Sequence, residues 1–243
     1  MAPGSRRSGF SKPLNEHPKQ TSGPPQRNTE RHKGQAAMRR FRRKYYDLFS
    51  KCYDRFIALH ATDKQGALRD ILAERTEARP GDRVLDICTG TGAVLVPLAR
   101  RVDKSGLAVG LDFSSGMLGA ARAKTRDRKQ VCLVQADCSR LPFKSASFAA
   151  VTCSHAFYEL KGETQVRTLA EIKRCLAPGK PFLMMEHEVP QNRLVRLLFH
   201  IRLMSMGRRQ ARQILEHEAE FLREHFSRVA KVPAGKSKIY ICT

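Results

Sequence analysis

Three acids and two glycines stand at spacings that could bind a small ligand. The stretch Asp86-Ile87-Cys88-Thr89-Gly90-Thr91-Gly92 follows the apolar pair Val84-Leu85. Glycine lets a backbone bend sharply and lets a ligand approach with no Cβ in the way. A helix following such a loop points its N-terminal N–H groups at that ligand. Asp112 closes Val109-Gly110-Leu111-Asp112, 20 residues past Gly92, where an acid suits two ribose hydroxyls. Asp137 follows a third apolar run in Gln135-Ala136-Asp137-Cys138, where it could accept a hydrogen bond from an adenine amino group. A single acid at a strand end serves equally well as a turn or helix cap. Three at successive run ends are poorly explained that way.

Two ligand classes use a strand–glycine–helix turn. Dinucleotides need G-x-G-x-x-G, with the pyrophosphate on the helix N-terminus. Here Leu95 occupies the third glycine position, and Asp86 would repel an anion. The ammonium and sulfonium of S-adenosylmethionine (SAM) are cations and would be attracted. A second group of residues leaves the fourth apolar run in Cys153-Ser154-His155-Ala156-Phe157-Tyr158-Glu159-Leu160. His155 is the first candidate general base, with Tyr158 and Glu159 next. A histidine that only shapes a pocket is an equal alternative. Glu186, His187 and Glu188 form a comparable cluster after the fifth run.

The elements that must position these residues are legible in the apolar pattern. Short runs at Val84–Cys88, Leu107–Leu111, Val131–Gln135, Ala149–Cys153 and Pro181–Met185 alternate with amphipathic stretches near Gly92–Arg101, Ser115–Thr125 and Gly162–Leu176. This βαβ alternation predicts a parallel sheet with right-handed crossovers. Val229–Val232 and Lys238–Cys242, around a turn at Pro233-Ala234-Gly235, predict a terminal hairpin. Further helices are expected over Lys64–Glu77, Arg193–Met206 and Arg208–Phe226, and another apolar helical stripe begins near Ala37.

Composition bounds the setting. The formal charge is +22 in 243 residues. Residues 1–44 hold 12 Lys/Arg against 2 Asp/Glu, which leaves 33 against 21 for the remainder. Residues 1–36, rich in Pro, Gly, Ser and Arg, bury too little apolar surface to offset ordering entropy and are expected to form a disordered basic tail. The seven cysteines are odd in number and include no C-x-x-C pair, as expected for reduced thiols in a cytoplasmic protein rather than a disulfide or zinc framework. No apolar run reaches 18 residues.

At this point the chain resembles a known family. Val84–Gly92, Val109–Leu118, Ala136-Asp137 with Leu141-Pro142-Phe143, and Leu176-Ala177-Pro178-Gly179-Lys180 look like the successive motifs of class I SAM-dependent methyltransferases, closest to the ubiquinone/menaquinone-biosynthesis C-methyltransferase branch. The resemblance implies an α/β, Rossmann-like fold: a mostly parallel seven-stranded sheet flanked by helices, with an antiparallel C-terminal hairpin. It implies one methyltransferase domain over 37–243, with 37–78 as an N-terminal helical lid. Carried over by position, Asp86, Gly90 and Gly92 would hold the methionine end of SAM. Asp112 would hold the ribose, Phe113 and Met117 would flank the adenine, and Asp137 and Cys138 would read its edge. Ser154 and His155 would lie near the methyl group. In related enzymes the N-terminal helix lies over SAM, so Tyr45 or Tyr46 is expected to cover the methionine moiety. One departure stands out: Cys88 occupies the family's first loop glycine. A residue with a Cβ there must keep a negative φ or accept strain.

The expected activity is methyl transfer to a small or lipophilic acceptor, quinone-like or lipid-like. The apolar Arg193–Met206 helix could roof a hydrophobic pocket or touch an anionic membrane, although burial in the domain or in a dimer is the slightly favoured reading. The basic tail motivates a second reading with RNA or protein as acceptor. It ranks lower because no aromatic-basic recognition motif accompanies the charge. A third reading is a catalytically silent methyltransferase fold that only binds.

Overall fold

The structure is a computed structural model that describes residue 47 and residues 66–160, 162–188 and 217–243. The basic tail, Tyr45 and Tyr46, nearly all of the expected lid before residue 66, and the Arg193–Met206 segment lie outside the described residues.

Each apolar run becomes a strand. They are β1 (Arg83–Ile87), β2 (Leu107–Asp112), β3 (Val131–Gln135), β4 (Ala150–Ser154), β5 (Phe182–His187), β6 (Val229–Ala234) and β7 (Ser237–Cys242). The helices are α1 (Ala67–Arg75), α2 (Leu95–Val102), α3 (Ser115–Thr125) and α4 (Glu163–Cys175), with a further helical stretch, α5, over residues 217–223. One sheet holds all seven strands in the order β3-β2-β1-β4-β5-β7-β6. The first five are parallel, and β7 runs antiparallel to both β5 and β6. The expected sheet and hairpin are therefore present.

The order explains where a ligand can sit. From β1 the chain steps outward through β2 to β3, then returns to the other side of β1 as β4. Loops leaving β1 and β4 therefore diverge at their carboxyl ends and open a crevice. Val84 to Ile87 and Ala150 to Cys153 are buried, as strands covered on both faces must be. On one face Leu85, Val151, Cys153, Phe182 and Met184 pack with Phe157, Leu169 and Leu222. On the other Val84, Ala108, Ala150 and Leu183 pack with Leu72, Leu95 and Leu98.

Two boundaries differ from expectation for local reasons. The helix anticipated from Gly92 starts at Leu95, because Gly92 takes a left-handed φ of 73° and the turn needs three more residues. The hairpin turn anticipated at Pro233-Ala234-Gly235 shifts to Gly235-Lys236, since Ala234 still pairs with Ser237. Pro233 can lie in β6 because that strand is at the sheet edge, where its missing N–H leaves no partner unmet.

Gly106 feeds the chain from α2 into β2. A Cβ there would lie 2.5 Å from the Asp82 carbonyl oxygen and 2.6 Å from that of Val102. Gly106→Ala is expected to cost about 1–3 kcal/mol through overpacking, read as a lower urea midpoint with an unchanged slope.

Candidate cofactor and acceptor site

The crevice is built around Asp86. Its side chain is buried, and its carboxylate accepts hydrogen bonds from the Thr89 hydroxyl (2.6 Å) and the Thr152 hydroxyl (2.7 Å). Thr89 lies in the glycine loop and Thr152 in β4, so one carboxylate ties the loop to the next strand. Burial pushes the Asp86 pKa up to about 6, opposed by the two hydroxyl hydrogen bonds and reinforced by the nearby charge of Asp112. The expectation that Asp86 itself holds the methionine end gains a qualification: both oxygens already have protein partners, and its field acts across the loop.

Asp112 ties the second loop to the first. Its Oδ2 accepts the Gly90 N–H (2.9 Å), and its Oδ1 accepts the Ser114 N–H (2.9 Å). Burial raises its pKa, the Ser114 and Gly90 N–H groups lower it, and the neighbouring Glu159 raises it further. Three carboxylates, Asp86, Asp112 and Glu159, thus crowd one crevice and give it a negative field.

Gly90 has a φ of 56°, and a Cβ there would meet nothing within 4 Å. The space over this residue is open to a ligand. Gly92 is required for a different reason, since its Cβ would lie 2.9 Å from that of Ala121 on α3. Cys88 takes the second of the two courses open to it and adopts a φ of 52°. Left-handed backbone at a residue with a Cβ costs about 1–2 kcal/mol. Its thiol meets those of Cys138 and Cys153; the Cys138 contact lowers its pKa, but the Cys153 contact and burial outweigh it and leave the pKa well above the ordinary thiol value. The three sulfurs form a packed, protonated floor beneath the loop. All six described cysteines are free.

The adenosine side is less open. Met117 is buried and Phe113 half-buried, at the start of α3. Asp137 Oδ1 accepts both the Ser139 N–H (2.9 Å) and the Ser139 hydroxyl (2.7 Å), a local turn-capping role beside any contact with a ligand. Cys138 is buried against Thr168.

Across the crevice, β4 ends at Ser154, and His155 follows with a strained φ of 50°. The His155 N–H donates to the Met185 carbonyl (2.7 Å), and its ring stacks on His187 at 4.3 Å between centroids. Tyr158 lies 6.5 Å from His187, centroid to centroid, in the 3-10 turn Phe157–Glu159. His155 Nδ1 is buried with no hydrogen-bond partner. Burial, then the charges of His187 and Arg69, lower the His155 pKa to about 3. The ring is therefore held neutral at pH 7.

Sequence reasoning did not single out Thr152, Arg69 or Asp47. Thr152 is the one hydroxyl inside the apolar run of β4, which was its signal. Asp47 Oδ1 accepts the Ser114 hydroxyl (2.6 Å) and the Gly116 N–H (2.9 Å), and so caps α3 from 69 residues away. No local pattern marks such a partner.

Comparison with known proteins agrees with this geometry. The methyltransferase domain family matches residues 84–179. The demethylmenaquinone methyltransferase of Lactobacillus johnsonii is 33% identical over 158 residues, 63% of this chain and 64% of that protein. The 2-phytyl-1,4-naphtoquinone methyltransferase of Nostoc sp. is 30% identical over 158 residues, 63% of this chain and 68% of that protein. Just under two thirds of the first relative's length is thus spanned. Among solved structures, a SAM-dependent methyltransferase from Aquifex aeolicus superposes with a TM-score of 0.56 at 17% identity, covering 78% of this chain and 96% of that one. Phosphoethanolamine N-methyltransferase 1 from Haemonchus contortus, in complex with phosphoethanolamine and S-adenosylhomocysteine, gives 0.53 at 17% identity, covering 61% and 32%. These two share the fold. The chain belongs to the class I SAM-dependent methyltransferase family, in the branch of the quinone methyltransferases.

The residues present fit SAM. The open face over Gly90 admits its backbone, and the crowded carboxylates complement its two positive charges. Because the Asp86 pKa is raised to about 6, its charge is largely absent at pH 5 and present at pH 7. SAM affinity is therefore expected to rise by about tenfold between pH 5 and 7, measured by calorimetry. Asp86→Asn should flatten that dependence and weaken binding at pH 7.

Proposed function

We propose that this protein transfers the methyl group of SAM to a quinone-like lipophilic acceptor, bound in its reduced, hydroxyl-bearing form. SAM supplies an electrophilic methyl on a sulfonium. The acceptor must therefore bring electrons, which a hydroquinone ring has and an oxidised quinone lacks. The bond from methyl to sulfur breaks, its electron pair stays on sulfur, and the acceptor sheds one proton.

The observation that carries this reading is His155. An imidazole nitrogen that is buried and unpartnered, on strained backbone at the edge facing the glycine loop, is positioned for a ligand. Its role differs from the general base expected from the sequence. A group whose conjugate acid has a pKa of about 3 takes a proton poorly from a hydroxyl. We assign it to hydrogen-bond the acceptor's oxygen as a neutral ring, with Tyr158 and His187 beside it. The relatives' names support the acceptor class, and Ser154 supplies a second hydroxyl near the reacting methyl.

Besides the basic tail, an RNA acceptor draws on a cavity of about 410 Å³ whose lining includes Arg122, Arg126, Arg128 and Lys129. It lies by the start of β3 and the last turn of α3, at the sheet edge opposite the crevice. A phosphate held there is poorly placed to present a base to the methyl group.

Labelled-methyl transfer should be assayed with a short-chain demethylated naphthoquinol, with the same compound oxidised, and with RNA. Label is expected in the reduced quinol alone. Label only in RNA or protein would overturn the proposal. His155→Ala should lower kcat at least tenfold while leaving SAM affinity within twofold. At saturating SAM, where the Asp86 dependence drops out, wild-type kcat should show no inflection near pH 6.5, the usual histidine value.

A further inference from the structure

The described residues hold one buried ionic cluster outside the crevice, on the sheet face opposite the His155–His187 stack. Along β5, Phe182 and Met184 face one core, and Leu183 and Met185 face the other. Strand alternation puts Glu186 with the first set and His187 with the second. Lys238 on β7 is the cross-strand partner of Glu186. Lys238 Nζ makes an ion pair of 2.8 Å with Glu218 on α5, and both side chains are nearly inaccessible, at 4% and 2%. Glu186 is fully buried. Two acids and one ammonium are thus buried together, with Lys238 Nζ 5.6 Å from the Tyr240 ring centroid. Such a group is costly to bury, and an apolar trio would fill the same space at least as stably. Stability alone does not account for it.

Glu186 has a specific contact. Its Oε1 accepts the Phe157 N–H at 2.9 Å, while its Oε2 is buried with no partner. Phe157 opens the 3-10 turn that carries Tyr158 and Glu159, two residues after His155. The acceptor-side turn is therefore tied to β5 by a side chain on the far face of the sheet. The turn's own N–H bonds run Glu159 to Ala156 (3.0 Å) and Leu160 to Phe157 (3.0 Å).

We propose that Glu186 is a positioning residue for methyl transfer, its carboxyl clamping the Phe157 N–H so that His155 and Tyr158 keep their places against the acceptor. Lys238, ion-paired with Glu218, is its cross-strand neighbour. This deepens the function proposed above and rests on it. Every charged neighbour bears on its protonation. Burial and the carboxylate of Glu218 raise the Glu186 pKa well above the ordinary value, against the N–H groups of Tyr158 and Phe157 and the charge of Lys238. Glu218 is itself pushed up to about 7 by burial, against Lys238 and Lys231 and with Glu188 adding to the rise. The Phe157 N–H needs only a carbonyl-type oxygen to accept it, so an amide of the same shape should replace Glu186.

The test compares Glu186→Gln with Glu186→Ala in the full chain. Gln keeps a carbonyl oxygen for the Phe157 N–H, and kcat for the naphthoquinol should stay within threefold of wild type. Ala should lower kcat by 10- to 100-fold, with SAM affinity within twofold by calorimetry. Hydrogen exchange at the Phe157 and Tyr158 amides should speed up at least tenfold in the Ala variant and little in the Gln variant. A Gln variant as inactive as Ala would show that Glu186 acts through its charge and would overturn the proposal. So would an Ala variant that unfolds at lower temperature yet keeps its kcat and its Phe157 exchange rate. If wild type methylates no quinol, the acceptor assignment fails while the exchange comparison still decides the clamp.

Discussion

The site depends on one buried carboxylate. Asp86 sits at the end of a strand with protein on both faces, and it stays there because two threonine hydroxyls satisfy it. Those hydroxyls come from the glycine loop and from β4, the two elements whose divergence opens the crevice. That contact adds a side-chain tie between loop and strand to the backbone pairing of β1 with β4. Asp112 repeats the device one strand further out, joining its own loop to Gly90 through a main-chain N–H. The crevice is thus laced by acids acting on backbone and hydroxyl donors. The same acids make its interior negative.

The division of labour between the two sides follows from their charges. The side bounded by β1 and β2 collects carboxylates and suits a cation. The side bounded by β4 and β5 collects imidazoles and, on α1, a guanidinium close enough to depress His155. A group that donates electrons through an oxygen is at home on the second side, and an alkylating cation on the first. Holding an electrophile and a nucleophile in adjoining halves of one crevice makes their encounter effectively intramolecular.

Much of this was legible in the sequence, and the remainder was not, for identifiable reasons. Apolar runs of about five residues separated by amphipathic stretches led to the strands directly, because buried parallel strands carry a nearly continuous apolar signal. The turn between β6 and β7 was misplaced because Pro233 reads as a breaker, although at a sheet edge it is compatible with a strand. Asp86, Asp112 and Gly90 were visible as a group, but their lacing to one another was not. Spacing gives the chain positions of acids, and only the fold tells which oxygen meets which N–H. His155 was found by its place after a strand, yet its lowered basicity was not legible. Its basicity is set first by burial in the fold and then by His187 and Arg69, which lie 32 residues after it and 86 before it in the chain. Glu186 was seen within a polar trio, and strand alternation then sent it and His187 to opposite faces.

The negative interior has a consequence for turnover. Methyl transfer converts a sulfonium into a neutral thioether, so the nucleoside left in the crevice has lost one of its two positive charges. Asp86, Asp112 and Glu159 remain as they were. The spent nucleoside is held by a weaker electrostatic grip than the one that arrived, and the chemical step itself loosens the hold that would otherwise slow its departure.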